Sequence, residues 1–321
     1  MEPDFLDGTV LMKIAIIGAG ALGSIMGSLL WEAGADPILV ERNAEEVDYV
    51  RANGLWIEGI SGDRYVRPRI YKDVSCCENV NLVIILVKSY DTKAACDTIQ
   101  EIISDQGTIL TVQNGIGNFE ILNQAFPGRV LIGVTTMGAM TLGMGRVRHT
   151  GFGPTLLGEM GGEMSERALA TRDVLRSMNG GPVDVVDNAI GAVWSKLIVN
   201  AGINAPATLL RLRNGDLPKY ESGRKLIRNV VAECLAIVKT SRIKLMFDDP
   251  EAHVVKVCEG TSGNLNSMFQ DIVAGRKTEI DFINGAIATQ AKSLGLEAPV
   301  NETLALLIKS LEASSADRVS N

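Results

Sequence analysis

Lys196, Asn200 and Asn204 recur at four-residue intervals in the segment running from Asn188 to Asn204. On a helix, that spacing sets one ammonium and two carboxamides along a single face. An ammonium can donate a hydrogen bond, and then a proton, to an oxygen that is gaining charge. It does so best where partial burial lowers its pKa toward the working pH. Carboxamides are neutral and present donor and acceptor together, which suits a ligand with hydroxyl, ketone and carboxylate groups. The neighbouring face, Ile190, Val193, Trp194, Leu197, Ile198 and Ala201, is apolar. Spacing alone is equally satisfied by a polar helix edge without a role.

A second chemical signal lies near the start. The loop Gly18-Ala19-Gly20-Ala21-Leu22-Gly23 follows the apolar run 13–17 and opens a stretch with helical spacing. In that context the first glycine makes a tight turn and the second admits a pyrophosphate close to the backbone. The third lets helix pack on strand. The helix N-terminus then faces phosphate charge with unpaired N–H groups. The next apolar run ends in Val40-Glu41-Arg42. Glu41, 23 positions after Gly18, stands where a carboxylate would accept the ribose hydroxyls of NAD. Arg42 beside it offers a forked cation for the 2′-phosphate of NADP. Local chemistry leaves both cofactors open.

The elements that must position these groups follow from periodicity. Apolar runs at 13–17, 37–40, 82–87, 108–112 and 130–134 alternate with helical stretches such as 22–33 and 91–103. Strands apolar on both faces and separated by helices predict an α/β fold, a Rossmann-like doubly wound parallel sheet. Short strand-like pieces at Arg146–Thr150 and Thr155–Leu157 are expected near the edge of that sheet. After about residue 187 the texture becomes helical, predicting a second, all-helical C-terminal domain. A long helix starts near 188, another covers 226–238, Asp249-Pro250 reads as an N-cap with proline at the first helical position, and Leu304–Leu311 line a last helix. The expected division is an extension at 1–11, a dinucleotide-binding domain at 12–187 and a substrate domain at 188–321. The extension and the tail ASSADRVSN are expected to be poorly ordered.

Composition excludes several classes. The chain has 46% hydrophobic and 21% charged residues, with no apolar run long enough for a bilayer. A net charge of −7 leaves no basic footprint for nucleic acid. Five cysteines, an odd number with no CxxC pair, read as reduced thiols of a cytoplasmic protein. The two histidines, His149 and His253, are too few for a histidine-based metal site, and they read as ordinary surface or fold residues.

Beyond these local patterns, the chain resembles the ketopantoate reductase (2-dehydropantoate 2-reductase) family. The matching pieces are Met12-Lys13-Ile14 running into the glycine loop, Val87-Lys88-Ser89, Gln113-Asn114-Gly115 and Trp194-Ser195-Lys196-Leu197 with Asn200 and Asn204. They continue through Asn214-Gly215-Asp216-Leu217, Ser267-Met268 with Gln270-Asp271-Ile272, and Thr278-Glu279-Ile280-Asp281 with Asn284-Gly285. Each piece is short; their order from 12 to about 310 carries the resemblance. It implies NADPH-dependent reduction of ketopantoate to (R)-pantoate, on the way to pantothenate and coenzyme A. It also implies Lys196 as general acid and Asn200, Asn204, Asn214 and Ser267 as substrate-binding. Lys88 and Asn114 would lie near the cofactor, with Asn114 also bordering substrate. Arg42 would meet the 2′-phosphate, and Glu279 would close over nicotinamide and substrate. Glu41 departs from this pattern and keeps NADH in view.

Alternatives remain at this point. One is a reductase for another branched or aromatic 2-keto acid using NADH. Another is a dinucleotide-binding sensor without turnover. More distant dehydrogenases that join a dinucleotide domain to a helical one are a third. A homodimer is compatible with a helical second domain.

Overall fold

The computed structural model describes residues 12–75 and 77–314. The expectations for residues 1–11, Cys76 and the last seven positions lie outside the described residues. One compact unit comprises the chain through Gln113 together with Phe119–Asp187, and a second comprises Asn114–Asn118 and the chain from Asn188 onward.

The first unit begins β1 (Ile14–Ile17), α1 (Ala21–Glu32), β2 (Ile38–Val40), α2 (Ala44–Asn53), β3 (Leu55–Gly59), β4 (Arg64–Val66) and β5 (Arg69–Tyr71). It continues β6 (Val80–Ile85), α3 (Thr92–Ile102), β7 (Ile103–Thr111), α4 (Asn118–Ala125) and β8 (Val130–Thr135). It closes with β9 (Gly138–Gly143), β10 (Arg146–Gly151), β11 (Thr155–Gly158), α5 (Glu166–Ser177) and β12 (Val183–Val185). The main sheet has the order β12-β11-β8-β7-β6-β1-β2-β5. All its pairings are parallel except β11 with β8.

Alternation along the central strands sorts side chains onto two faces. Ile14, Ile16, Leu82 and Ile84 join one core with Ile25 and Met26 of α1 and Leu175 of α5. Ala15, Ile17, Val83 and Ile85 join another with Ile99 of α3 and Leu122 of α4. Two apolar faces per strand explain why these segments read as unbroken apolar runs. Each Ile or Leu fully withdrawn from water contributes about 1.5–3 kcal/mol before entropy is counted.

Arg146–Thr150 corrects one expectation. These residues lie in β10 of a separate four-stranded sheet of order β4-β3-β10-β9, not at the main sheet's edge. Val147 is buried while Arg146 and Arg148 are exposed. A strand with one charged face cannot enter a sheet covered on both sides, but it can cap one. Ile57, Val66 and Val147 of this small sheet pack into the same core as α1. Thr155–Leu157 does join the main sheet, one strand from its edge.

The second unit is helical: α6 (Ala189–Leu210), α7 (Glu221–Thr240), α8 (Pro250–Gly260), α9 (Ser267–Val273), α10 (Asn284–Ser293) and α11 (Pro299–Ala313). The 22-residue α6 packs against α7, α8, α9 and α11. Small residues at Ala201, Gly202, Ala205 and Ala207 permit this; a Cβ added at Gly202 would already press Val254 Cγ1 at 3.1 Å. Asn188 caps α6 by accepting from Gly191 N at 3.2 Å, and its amide donates to Lys244 O at 2.7 Å. Asp249 caps α8 through Ala252 N at 3.0 Å, with Pro250 at its first turn. Among the described residues no helix is long and apolar enough to cross a membrane.

His149 points inward from β10 and is fully buried, its ring edge-on to Phe152 at 4.7 Å. Neither ring nitrogen has a hydrogen-bond partner among the described residues. Burial lowers its pKa below the ordinary 6.5, opposed by the nearby Gly151 backbone and helped by the charge of Arg64. The unfolded chain therefore binds the proton more readily, and stability falls as pH drops from about 6.5 toward the folded value. We expect the contribution of this group to the urea midpoint to be flat above that pH and to decline below it, by up to about 1.4 kcal/mol per pH unit. In His149→Leu that share of the decline should vanish; an identical acid slope in the variant would contradict the assignment.

Candidate active site

In the first unit the predicted cofactor residues gather at neighbouring strand ends. The order β2-β1-β6 places Glu41-Arg42, the glycine loop and Lys88 after three adjacent parallel strands. The chain leaves β1 toward β2 and later returns to β6 on the other side, so the loop lies where strand order reverses. Ligands of open α/β sheets bind at such points. Gly18 and Ala19 both donate their N–H to Val40 O, at 2.9 and 3.2 Å, which pins the loop across the sheet. Ser24 Oγ donates back to Ala19 O at 2.8 Å.

The glycines differ in what they leave free. Gly18 has φ +102°, and a Cβ there would meet Val87 N at 2.5 Å. A Cβ at Gly23 would strike Gly18 O. Gly20, in contrast, is exposed with nothing within 4 Å of its would-be Cβ. Gly20 also begins α1 with no side-chain cap and no acidic residue in the first turn. Free N–H groups, open space and no competing carboxylate together fit a pyrophosphate.

The expected ribose and phosphate contacts are already engaged. Glu41 Oε1 accepts from Asn43 N at 3.1 Å. Arg42 Nη1 and Nη2 donate to Asp91 Oδ1 and Oδ2 at 3.1 and 2.6 Å. Asp91, at the start of α3, was not singled out by sequence because it lies 49 residues from Arg42. Gln113, which the sequence offered only as part of a matching motif, braces the strand ends. Its amide donates to Val87 O at 2.8 Å and Thr92 Oγ1 at 2.9 Å and accepts from Thr111 Oγ1 at 3.0 Å, tying the end of β7 to that of β6.

The second unit assembles the rest. Asn114 Nδ2 donates to Glu279 Oε2 at 3.2 Å. The turn presenting Asn114 packs tightly: Ile116 N donates to Phe282 O at 3.0 Å, and a Cβ on Gly115, at φ +82°, would collide with that same carbonyl. Glu279 is buried, and its segment is held by Thr278 N donating to Glu312 Oε1 at 2.7 Å. Lys196 lies within electrostatic reach of Glu279. Asn200 and Asn204 follow on the same face, each offset by about 40° on the helix. Asn204 is buried, and neither side chain makes a hydrogen bond among the described residues.

That polar stripe continues one step further than the sequence reading took it. Thr208, again four residues on, donates to Asn266 Oδ1 at 3.2 Å. Asn266 caps α9 through Phe269 N at 3.0 Å and so fixes Ser267, the exposed first residue of that helix. Asn214 is tied to the same segment, its N donating to Asn264 O and its Nδ2 to Thr261 Oγ1, both at 3.0 Å. Asn214 Oδ1 and Asn266 Nδ2 are buried without partners among the described residues. Leaving such groups unpaired costs about 1–3 kcal/mol each. An acceptor and a donor left open near one polar stripe suit a hydroxylated ligand.

Lys196 carries the distinctive electrostatics. Burial lowers its pKa from 10.5 to about 8, against the opposing pull of Glu279. Its ammonium is thus close to even balance between donor and neutral amine near neutral-to-alkaline pH, the condition that favours proton transfer. Among the described residues no cluster of His, Cys, Asp and Glu could hold a metal.

The chain matches the family description "Ketopantoate reductase PanE/ApbA" over residues 14–162 and its C-terminal counterpart over 188–312. It is 34% identical to the 2-dehydropantoate 2-reductase of Archaeoglobus fulgidus over 303 residues, covering 94% of this chain and 99% of the relative. The structure of a PanE/ApbA family ketopantoate reductase from Ralstonia eutropha JMP134 superposes with a TM-score of 0.87 at 31% identity, over 95% of this chain and 100% of that one. D-mandelate dehydrogenase, solved with NADH and anilino(oxo)acetate, gives 0.88 at 29% identity over 95% and 100%.

The titration of Lys196 can be read directly. In protein with isotopically methylated lysines, NMR should show one resonance with a midpoint near 8 that disappears in Lys196→Arg. Glu279→Gln removes the charge that favours the ammonium, so the midpoint should move lower. A midpoint near 10.5, or a rise in the glutamine variant, would refute the assigned environment.

Proposed function

The chain belongs to the ketopantoate reductase PanE/ApbA family, and we propose that it reduces 2-dehydropantoate to (R)-pantoate with NADPH as hydride donor. The observation that carries this reading is Lys196, its pKa lowered by burial, with buried Glu279 and half-buried Asn114, and the amides of Asn200 and Asn204 without partners among the described residues. In this proposal the first unit holds the dinucleotide: the glycine loop and the start of α1 take the pyrophosphate, Arg42 takes the 2′-phosphate, and Lys88 adds positive charge. Bound nicotinamide supplies the hydride. The second unit holds and protonates the keto acid.

Hydride addition makes the ketone carbon tetrahedral and leaves negative charge on its oxygen. Lys196 stabilises that charge as an ammonium, then gives up a proton to form the hydroxyl and becomes a neutral amine. Glu279 keeps enough of Lys196 protonated for this step, and Asn114 orients the Glu279 carboxylate. Asn200, Asn204, Asn214 and Ser267 bind the hydroxyl and carboxylate ends of the substrate. The reading also puts the enzyme in the cytoplasm, where its thiols stay reduced, in the supply of pantothenate and coenzyme A.

A second reading has its own support. The likeness to D-mandelate dehydrogenase and the carboxylate of Glu41 favour an aromatic 2-keto acid with NADH.

Steady-state rates with NADPH and NADH, each against ketopantoate and a panel of aromatic and branched 2-keto acids, separate the two. We expect ketopantoate with NADPH to give the highest kcat/KM; negligible ketopantoate turnover beside rapid reduction of an aromatic acid would refute the first reading. Lys196→Ala should lower kcat about 10²–10⁴-fold while cofactor affinity is largely kept. In the native enzyme the rate of reduction should fall as pH rises through about 8, because the acid form of Lys196 is lost there. A flat alkaline limb to pH 10 would remove Lys196 from the proton-transfer step.

A further inference from the structure

We infer that Asp91 is a cofactor-selectivity residue, which acts by occupying the guanidinium of Arg42 in competition with a 2′-phosphate. The inference rests on the reading of Arg42 as the 2′-phosphate contact.

Asp91 stands at the N-cap of α3, where an aspartate ordinarily turns back to accept from the first N–H groups of the helix. Here it makes no such cap. Its two carboxylate oxygens instead take the two terminal nitrogens of Arg42, at 3.1 and 2.6 Å. This fork-to-fork geometry is the one a guanidinium would use on a phosphate. The end-on fork of Arg42 is thereby taken, so a phosphate must displace Asp91 from it or settle for the side-on Nε edge.

The pair also spans the strand ends that matter. Arg42 follows β2, Asp91 follows β6, and β1 with its glycine loop lies between them in the sheet. A dinucleotide with a 2′-hydroxyl can leave the pair intact and bond to Glu41. One with a 2′-phosphate gains the end-on fork only by drawing Arg42 away from Asp91, which brings its negative charge toward Glu41 and a newly bared Asp91. Asp91 therefore weakens NADP binding and leaves NAD comparatively favoured, which narrows the gap between the two. The Arg42 side chain is 73% exposed, so the competition is screened by solvent and its effect is moderate.

The test is a double-mutant cycle read by calorimetric titration of the whole protein with NADP+ and with NAD+, without any keto acid. Asp91→Asn keeps a good N-cap residue and removes the charge. It should raise the ratio Kd(NAD+)/Kd(NADP+) about 1.5- to fivefold. Arg42→Ala should lower that ratio, and in its background Asp91→Asn should raise it by clearly less than in the wild type. An unchanged or lowered ratio in Asp91→Asn overturns the inference. An equal rise in the Arg42→Ala background also overturns it, because Asp91 would then act by direct repulsion. Failure of the enzyme to reduce ketopantoate leaves these binding ratios unaffected. Wild type that binds neither dinucleotide would overturn both the nicotinamide reading and this inference.

Discussion

Withdrawing the Lys196 ammonium from water is the costly arrangement around which the second unit is organised. A fully hydrated lysine would stay charged far above neutrality, and an isolated buried one would lose its proton altogether. The structure holds it between those limits: burial lowers its pKa to about 8, and the opposing charge of Glu279 stops the fall there. Both groups must be held in place, or the carboxylate would turn to solvent. Asn114 fixes the carboxylate, and the backbone around Thr278 is held by Glu312. The small residues of α6 let neighbouring helices close in on the remaining faces of the helix that carries the lysine.

The first unit solves a different electrostatic problem, which is to receive a polyanion. It uses few formal charges to do so. Backbone N–H groups at the start of α1 supply fixed partial charge, and the exposed face of Gly20 admits a ligand against the main chain. On the proposed reading, side-chain charge enters at the rim, in Glu41, Arg42, Lys88 and Asp91, where it would discriminate between ligands more than attract them.

Local patterns were legible in the sequence and distant pairings were not. The glycine loop depends on neighbours within six positions, and the Lys196 stripe depends on helical spacing, so both could be read directly. The central strands were legible because burial on two faces leaves no polar interruption. The second sheet was missed because β3 and β4 are short, each with a charged residue, and the second partner of β3, β10, comes about 90 residues later. Asp91 escaped notice for the same reason: its partner is remote, and its position resembles an ordinary cap. Thr208 had a usable signal, since the four-residue recurrence from Lys196 simply continues.

The five residues Asn114–Asn118 group with the helical unit although the strands on either side of them belong to the other. The order of the chain and the grouping of its packing therefore disagree. A recombination event at residue 187 would separate the Gly115 turn from the Phe282 carbonyl it was shaped to meet, so exchanging the C-terminal half between relatives also requires a compatible turn at 114–118. Such chimaeras face a matching rule that a boundary drawn along the sequence does not reveal. The two halves are expected to drift together in evolution at this short segment, even where the rest of each unit varies on its own.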